Sequence, residues 1–128
     1  MSLTIENLLG QFVCSFPSLE DNINEVISWL GGTYHHIVFG QVFNPYIKKI
    51  LIDDISNVNE KTNVAQFLEC MANSDDCSVR AVLTDSILEE LLDNPDEFSQ
   101  IEPHLLEKTV SYLPTMKVFF DFYARKQT

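Results

Sequence analysis

The apolar residues between Leu19 and Leu30 recur at the spacing of one helix face. They lie four, three, one and three positions apart, and Gly31-Gly32 follows at once. This spacing is typical of an α-helix with one buried face, and a glycine after the last apolar residue is typical of a helix end. The stretch therefore predicts an amphipathic helix that must pack against other elements. Its apolar positions are Leu19, Ile23, Val26, Ile27 and Leu30.

Capping residues predict further helices along the chain. Thr4 is expected to cap a first helix that runs to about Cys14. Asn44-Pro45 and Asn94-Pro95 each place a capping side chain before a proline, which is favoured at the first helical position. Other helices are predicted over 59–73, 79–92 and 103–113 and from Thr115 onward. The expected fold is an all-α domain of about seven or eight short helices packed as antiparallel pairs.

Residues 34–55 leave a second fold class open. The stretches "YHHIVFGQVF" and "YIKKILIDDI" are rich in β-branched and aromatic residues. Such residues are favoured in strands. An α+β domain with a small hairpin in 34–55 is therefore the alternative to the all-α fold.

Length and composition predict one helical domain over residues 1–128. A chain of 128 residues with 45% apolar residues can build a core without disulfides or metals. The formal charge of −11 repels nucleic acid and anionic membrane surfaces. No leader segment and no long apolar run are evident in the sequence, so a cytoplasmic protein is expected.

The negative charge is concentrated in the middle of the chain. The stretch from Leu83 to Glu107 contains eight carboxylates and no lysine or arginine. Spacing of about 100° per residue places Asp85, Glu89 and Asp93 on one side of a helix. Three interpretations fit, a solvated surface, a docking surface for a basic protein partner and a weak cation site. The predicted partner-binding carboxylates, here called the acidic surface, are Asp85, Glu89, Glu90, Asp93, Asp96 and Glu97.

The carboxyl-terminal region combines aromatic and basic residues. Phe119 to Tyr123 has four aromatic residues in five positions, so at least one ring must point away from a single core face. Phe122 is the candidate, either as a buried core residue or as an apolar contact for a partner. Lys117, Arg125 and Lys126 lie nearby. A further alternative is therefore a homodimer, in which this region meets the acidic surface of a second copy.

Motifs of known enzyme and cofactor sites are not found in the sequence. There is no G-x-S-x-G, phosphate-binding glycine loop or H-E-x-x-H. We therefore expect no enzymatic activity and no cofactor. Zinc bound by His36, Cys70 and Cys77 is a further alternative, but Cys-x6-Cys is longer than the spacing of structural zinc modules, so no metal site is expected.

The segment "SDDCSVRAVLTDSILEELL" resembles the second helix of a HEAT-type repeat. In such repeats an arginine after the acidic turn stabilises nearby turns, which implies a structural role for Arg80. Over residues 16–92, the stretches "FPSL", "HHIVFG" and "FLECMANSDDCSV" resemble a family of small all-helical bacterial proteins of unknown function. The resemblance implies an armadillo-like helical fold.

The size and charge of the chain are similar to those of bacterial immunity proteins, which neutralise toxins. This similarity implies a non-enzymatic, acidic protein-binding domain, immunity- or antitoxin-like, that neutralises a basic toxin such as a nuclease. The alternative function is a helical adaptor or scaffold that holds a peptide or a protein subunit through apolar contacts.

Overall fold

Helices form almost all of the described structure. The computed structural model describes residues 2–32, 34–53 and 57–118. These ranges contain no strand, so the all-α prediction is confirmed and a hairpin within 34–53 is wrong. No helix in them is both long and apolar enough to cross a membrane. The α-helices are α1 (Leu8–Ser15), α2 (Glu20–Leu30), α3 (His35–Val38), α4 (Asn44–Ile52), α5 (Val58–Ala72), α6 (Cys77–Ala81), α7 (Glu89–Leu92), α8 (Pro95–Ile101) and α9 (Glu107–Ser111).

Two of the helical runs contain a π-helical segment. The π segment Phe39–Phe43 joins α3 to α4, and we call residues 35–52 the first composite helix. The π segment Val82–Leu88 joins α6 to α7, and we call residues 77–92 the second composite helix. The two π segments pack against each other. Segments of π-helix are frequent at functional sites.

The helix start predicted at Asn44-Pro45 is wrong. The chain is already helical from His35, and the Asn44 side chain makes no capping hydrogen bond. Proline lacks an N–H, and inside a regular helix its ring clashes with the carbonyl four residues earlier, here that of Gln41. The wider π turn directly before Pro45 accommodates this clash without ending the helix.

Other helix starts agree with the capping patterns. Asn94 caps α8 by accepting a hydrogen bond from the backbone N–H of Glu97 at 3.2 Å, which confirms that start. The helices predicted over 59–73 and 79–92 begin slightly earlier, at Val58 and Cys77. Their caps are Asn57 and Asp76, whose side chains accept from the N–H two residues later.

Three predicted starts differ from the structure. Residues 5–7 form a turn, and α1 begins only at Leu8. Pro103 does not open a helix, because it lies in the 3₁₀ turn Glu102–His104 that directly follows α8. Thr115 lies inside a helical stretch, 113–118, and does not cap it.

Five phenylalanine rings form the centre of the core. The Phe12 ring lies 4.5 Å from that of Phe39 and 4.8 Å from that of Phe43, between centroids. Phe16 and Phe67 pack against the same rings. The rings come from α1 and its end, the first π segment and α5, so the cluster joins three parts of the chain. The buried apolar side chains around it form one cluster from Leu3 to Leu113.

The amino-terminal segment is held against the turn before α6. Ser74 Oγ donates to the Leu3 carbonyl at 2.6 Å, and the Ile5 N–H donates to Asp76 Oδ2 at 2.8 Å. Arg80 Nη1 donates to the Ser74 carbonyl at 2.6 Å, which gives Arg80 a structural role in this turn. The N–H groups of Ile5 and Ser78 hold the pKa of Asp76 below its usual range.

Glu69 on α5 caps the beginning of α9. Its carboxylate accepts from the N–H groups of Lys108 and Thr109 at 2.8 and 2.9 Å and from Thr109 Oγ1 at 2.9 Å. Burial acts to raise the pKa of Glu69, but these three hydrogen bonds outweigh it and hold the pKa below its usual range. The cap fixes α9 against α5 and satisfies the buried Thr109 hydroxyl.

Replacing Phe12 by alanine is expected to lower the free energy of unfolding by about 3–5 kcal/mol, because it leaves a cavity among the other rings. Urea denaturation followed by circular dichroism measures this loss. Val58→Ala, at a side chain that is 75% exposed, is the control and should change stability by less than about 0.5 kcal/mol. Similar losses in both variants would contradict the central place of the cluster.

Asp76→Asn is expected to lower the free energy of unfolding at pH 7. The difference from wild type should disappear in acid. A carboxyl group whose pKa falls on folding stabilises the folded state above its ordinary pKa, here 3.8. That contribution is lost as pH falls through the lower pKa of the folded state. Urea midpoints of wild type and variant should therefore converge below pH 3.8. Asp75→Asn is the control for charge, and a difference that stays constant down to pH 2 would contradict the prediction.

Candidate functional site

Besides Glu90, four carboxylates of the acidic surface are exposed and have no ion-pair partner among the described residues. Asp85 and Glu89 lie on the second composite helix, Asp93 follows it, and Asp96 lies in the first turn of α8. Within 2–32, 34–53 and 57–118, no lysine or arginine comes within ion-pair distance of any of the four. The charge of these four groups therefore faces solvent.

Glu97 is in a different environment. It is half-buried, and its Oε1 lies 3.6 Å from Lys48 Nζ on α4. An ion pair of this kind near the surface contributes at most about 1 kcal/mol. Glu97 therefore links α4 and α8, and part of its charge is already balanced within the chain.

Glu90 is in contact with a buried amide. The Asn44 side chain is fully buried, and its Nδ2 donates to Glu90 Oε2 at 2.5 Å and to the Ser86 carbonyl at 2.8 Å. Asn44 Oδ1 is buried and has no hydrogen-bond partner within the described part of the chain. His36 Nδ1 lies 2.5 Å from Ser86 Oγ. We call these four residues, His36, Asn44, Ser86 and Glu90, the polar junction, because they join the two composite helices.

Gly40 lies beside the polar junction. A Cβ atom built on Gly40 would lie 3.5 Å from Glu90 Oε2 and 4.0 Å from the Ser86 carbonyl oxygen. Both distances are ordinary contacts, so a methyl group would fit there without forcing the helices apart. The absent side chain leaves one side of the Glu90 carboxylate uncovered.

Local sequence patterns do not indicate the polar junction. The pattern Asn44-Pro45 predicts a helix cap, because Asn before Pro is a common helix start and nothing local shows that the preceding residues are helical. Ser86 and Gly40 are 46 positions apart in the sequence, and no motif links them. The signal that was present is the polar Asn44 within the apolar stretch "IVFGQVFNPYI", where a buried amide needs a tertiary partner.

The other residues named in the sequence predictions are Phe122, His36, Cys70 and Cys77. Phe122 lies outside the described residues. His36 is exposed, and so are Cys70 and Cys77, whose thiols are free. In the described part of the chain, no three His, Cys, Asp or Glu side chains are placed to hold a metal ion.

A surface groove of about 580 Å³ lies between α2 and the first composite helix. Trp29 stands at its edge with 60% of its surface exposed. Tyr46, also in the lining, donates to Glu60 Oε1 at 2.7 Å, and burial together with this carboxylate raises the pKa of Tyr46 to about 12. Its hydroxyl proton is therefore held by Glu60. The lining includes polar and charged side chains, such as Glu25 and Lys49, and its exposed Trp29 ring offers an apolar contact for a peptide or a protein side chain.

Comparisons of the chain with protein-family models, with curated proteins and with solved structures find no match. The resemblances to HEAT-type repeats and to immunity proteins therefore stay predictions. Two surfaces of the domain bear on function, the acidic surface with its polar junction and the groove beside Trp29.

Asn44→Ala is expected to lower the free energy of unfolding by about 1–3 kcal/mol, because the Ser86 carbonyl loses its donor. Asn44→Asp should cost more at pH 7, because it also buries a carboxylate next to Glu90. Burial and the charge of Glu90 raise the pKa of the new carboxyl group, so this extra loss should shrink as pH falls toward 5.

Urea denaturation at pH 7 and pH 5 measures both effects. Asn24→Asp makes the same charge change at an exposed position on α2 and is the control. If Asn44→Asp were as stable as Asn24→Asp at pH 7, the contact between Asn44 and Glu90 would not exist in solution.

Proposed function

We propose that this chain is a non-enzymatic protein-binding domain whose acidic surface binds a basic protein. The observation that carries the proposal is the exposure of Asp85, Glu89, Asp93 and Asp96 on consecutive helical segments without a described cationic partner. A basic protein would supply the missing positive charge. Charge complementarity of this kind speeds encounter and selects the partner.

The charge distribution along the chain supports a directional interaction. Residues 53–107 have fourteen acids and two bases, whereas residues 1–52 have four acids and two bases. If the negative charge served solubility alone, there would be no reason for it to collect on one part of the chain. The excess negative charge of this part of the chain attracts an approaching basic protein before contact.

The finer proposal is an immunity- or antitoxin-like protein that covers the basic cleft of a toxin such as a nuclease. An inhibitor of this kind must reach its target before the substrate does, and a strongly acidic surface makes association fast. The acidic surface would then occupy the cleft in place of a phosphate backbone.

An adaptor or scaffold that holds a peptide or protein subunit is the second candidate. The observation in its favour is Trp29, which is 60% exposed at the edge of the groove. Tryptophan residues supply much of the binding energy of protein interfaces when they become buried. Binding through this groove would depend on apolar contacts and would persist at high salt.

We expect affinity capture from a lysate of the source organism to retain a basic protein at about 0.1 M salt and to lose most of it at about 0.5 M, because salt screens exposed charges. The double variant Glu89→Lys/Asp93→Lys should fail to retain it. The control Glu20→Lys/Asp21→Lys makes the same charge change on exposed residues of α2 and should retain it. Mass spectrometry identifies the retained protein.

Equal loss in both double variants would mean that only net charge matters, and it would contradict the proposed surface. A partner that survives 0.5 M salt and is lost after Trp29→Ala would instead support the adaptor. These two outcomes separate the candidates, because the acidic surface and the groove share no residue.

A further inference from the structure

We propose that the polar junction is the binding site for an arginine side chain, with Glu90 as the group that holds it. This inference rests on the proposed function, because the arginine would belong to the basic partner. Glu90 would be the specific contact of the acidic surface, and the other acids would attract the partner through long-range electrostatics.

The Asn44–Glu90 pair of the junction has no unused donor. Both N–H groups of the Asn44 side-chain amide donate hydrogen bonds, one to Glu90 Oε2 and one to the Ser86 carbonyl. Asn44 Oδ1 is sealed from solvent and has no donor among the described residues. The group of this pair that a ligand can reach is therefore the exposed Glu90 carboxylate, which accepts hydrogen bonds. A guanidinium group has five N–H donors and no acceptor.

Glu90 differs from the other exposed acids in being held in place. Its Oε2 is bonded to an amide whose side chain is fully buried, whereas Glu89 and Asp93 have no such partner among the described residues. A carboxylate that is already fixed loses little conformational entropy on binding. A planar guanidinium fork gains more from a fixed carboxylate than a lysine ammonium does, because it forms two parallel hydrogen bonds. The geometry therefore favours arginine over lysine.

Gly40 leaves the carboxylate accessible. Glu90 is exposed, Gly40 is half-buried, and a Cβ at Gly40 would lie 3.5 Å from Glu90 Oε2. A methyl group at this position would fit the fold and would cover the oxygen from that side. Since alanine is favoured over glycine inside helices, Gly40→Ala is expected to fold at least as well as the wild type.

The test measures binding of two synthetic peptides of equal charge, octa-arginine and octa-lysine, by titration calorimetry at about 0.1 M salt. Wild type is expected to bind octa-arginine about tenfold more tightly than octa-lysine, which corresponds to about 1.4 kcal/mol. Glu90→Gln should reduce this preference to about twofold or less. Asp93→Asn removes the same charge and should weaken both peptides equally, with the preference unchanged.

Gly40→Ala provides the second variant, because it changes no charge. We expect it to keep or raise the urea midpoint and the affinity for octa-lysine, and to lose most of the preference for octa-arginine. Retention of the full preference in Gly40→Ala, or equal behaviour of Glu90→Gln and Asp93→Asn, would overturn the arginine site while leaving a general acidic surface in place. Failure of wild type to bind either peptide would overturn the proposed basic partner as well.

Discussion

The packing of five phenylalanine rings sets the positions of the other elements. Phe39 and Phe43 lie in the first π segment and both meet Phe12 from α1, and Phe43 also meets Phe67 from α5. Tilted and edge-on contacts between rings are directional, so they fix rotation about the helix axis as well as distance. The next residues along the helix, Gly40 and Asn44, are thereby turned toward the second composite helix. The polar junction exists because the aromatic cluster holds the first composite helix in this orientation.

Local signals were enough to predict the helices. The apolar spacing up to Leu30 and the glycine after it agree with α2, which ends at Gly31 in the left-handed conformation. Asn94 caps α8 as its position before Pro95 predicts. These features depend on residues within one or two turns of each other, and neighbouring residues determine them without help from the rest of the fold.

Long-range contacts explain what the sequence did not predict. Asn44 has the same local pattern as Asn94, yet it lies in the middle of a helix because the preceding residues are held helical by the aromatic cluster. Its partners Ser86 and Glu90 are 42 and 46 positions away. The acids could be assigned to a surface from helical spacing, but the different environments of Glu90 and Glu97 depend on residues of α4 that no local pattern connects to them.

The buried Asn44 amide and the surface carboxylate of Glu90 are coupled by a hydrogen bond. An exposed carboxylate attracts any cation, so a surface built only of free acids draws basic proteins without distinguishing among them. A buried amide costs free energy unless its groups are bonded, and here part of that bonding is supplied by Glu90 at the surface. The contact that stabilises the amide also orients the carboxylate. The interior of the domain thus determines the geometry of one surface charge, and a charge with fixed geometry can distinguish an arginine from a lysine where a mobile one cannot.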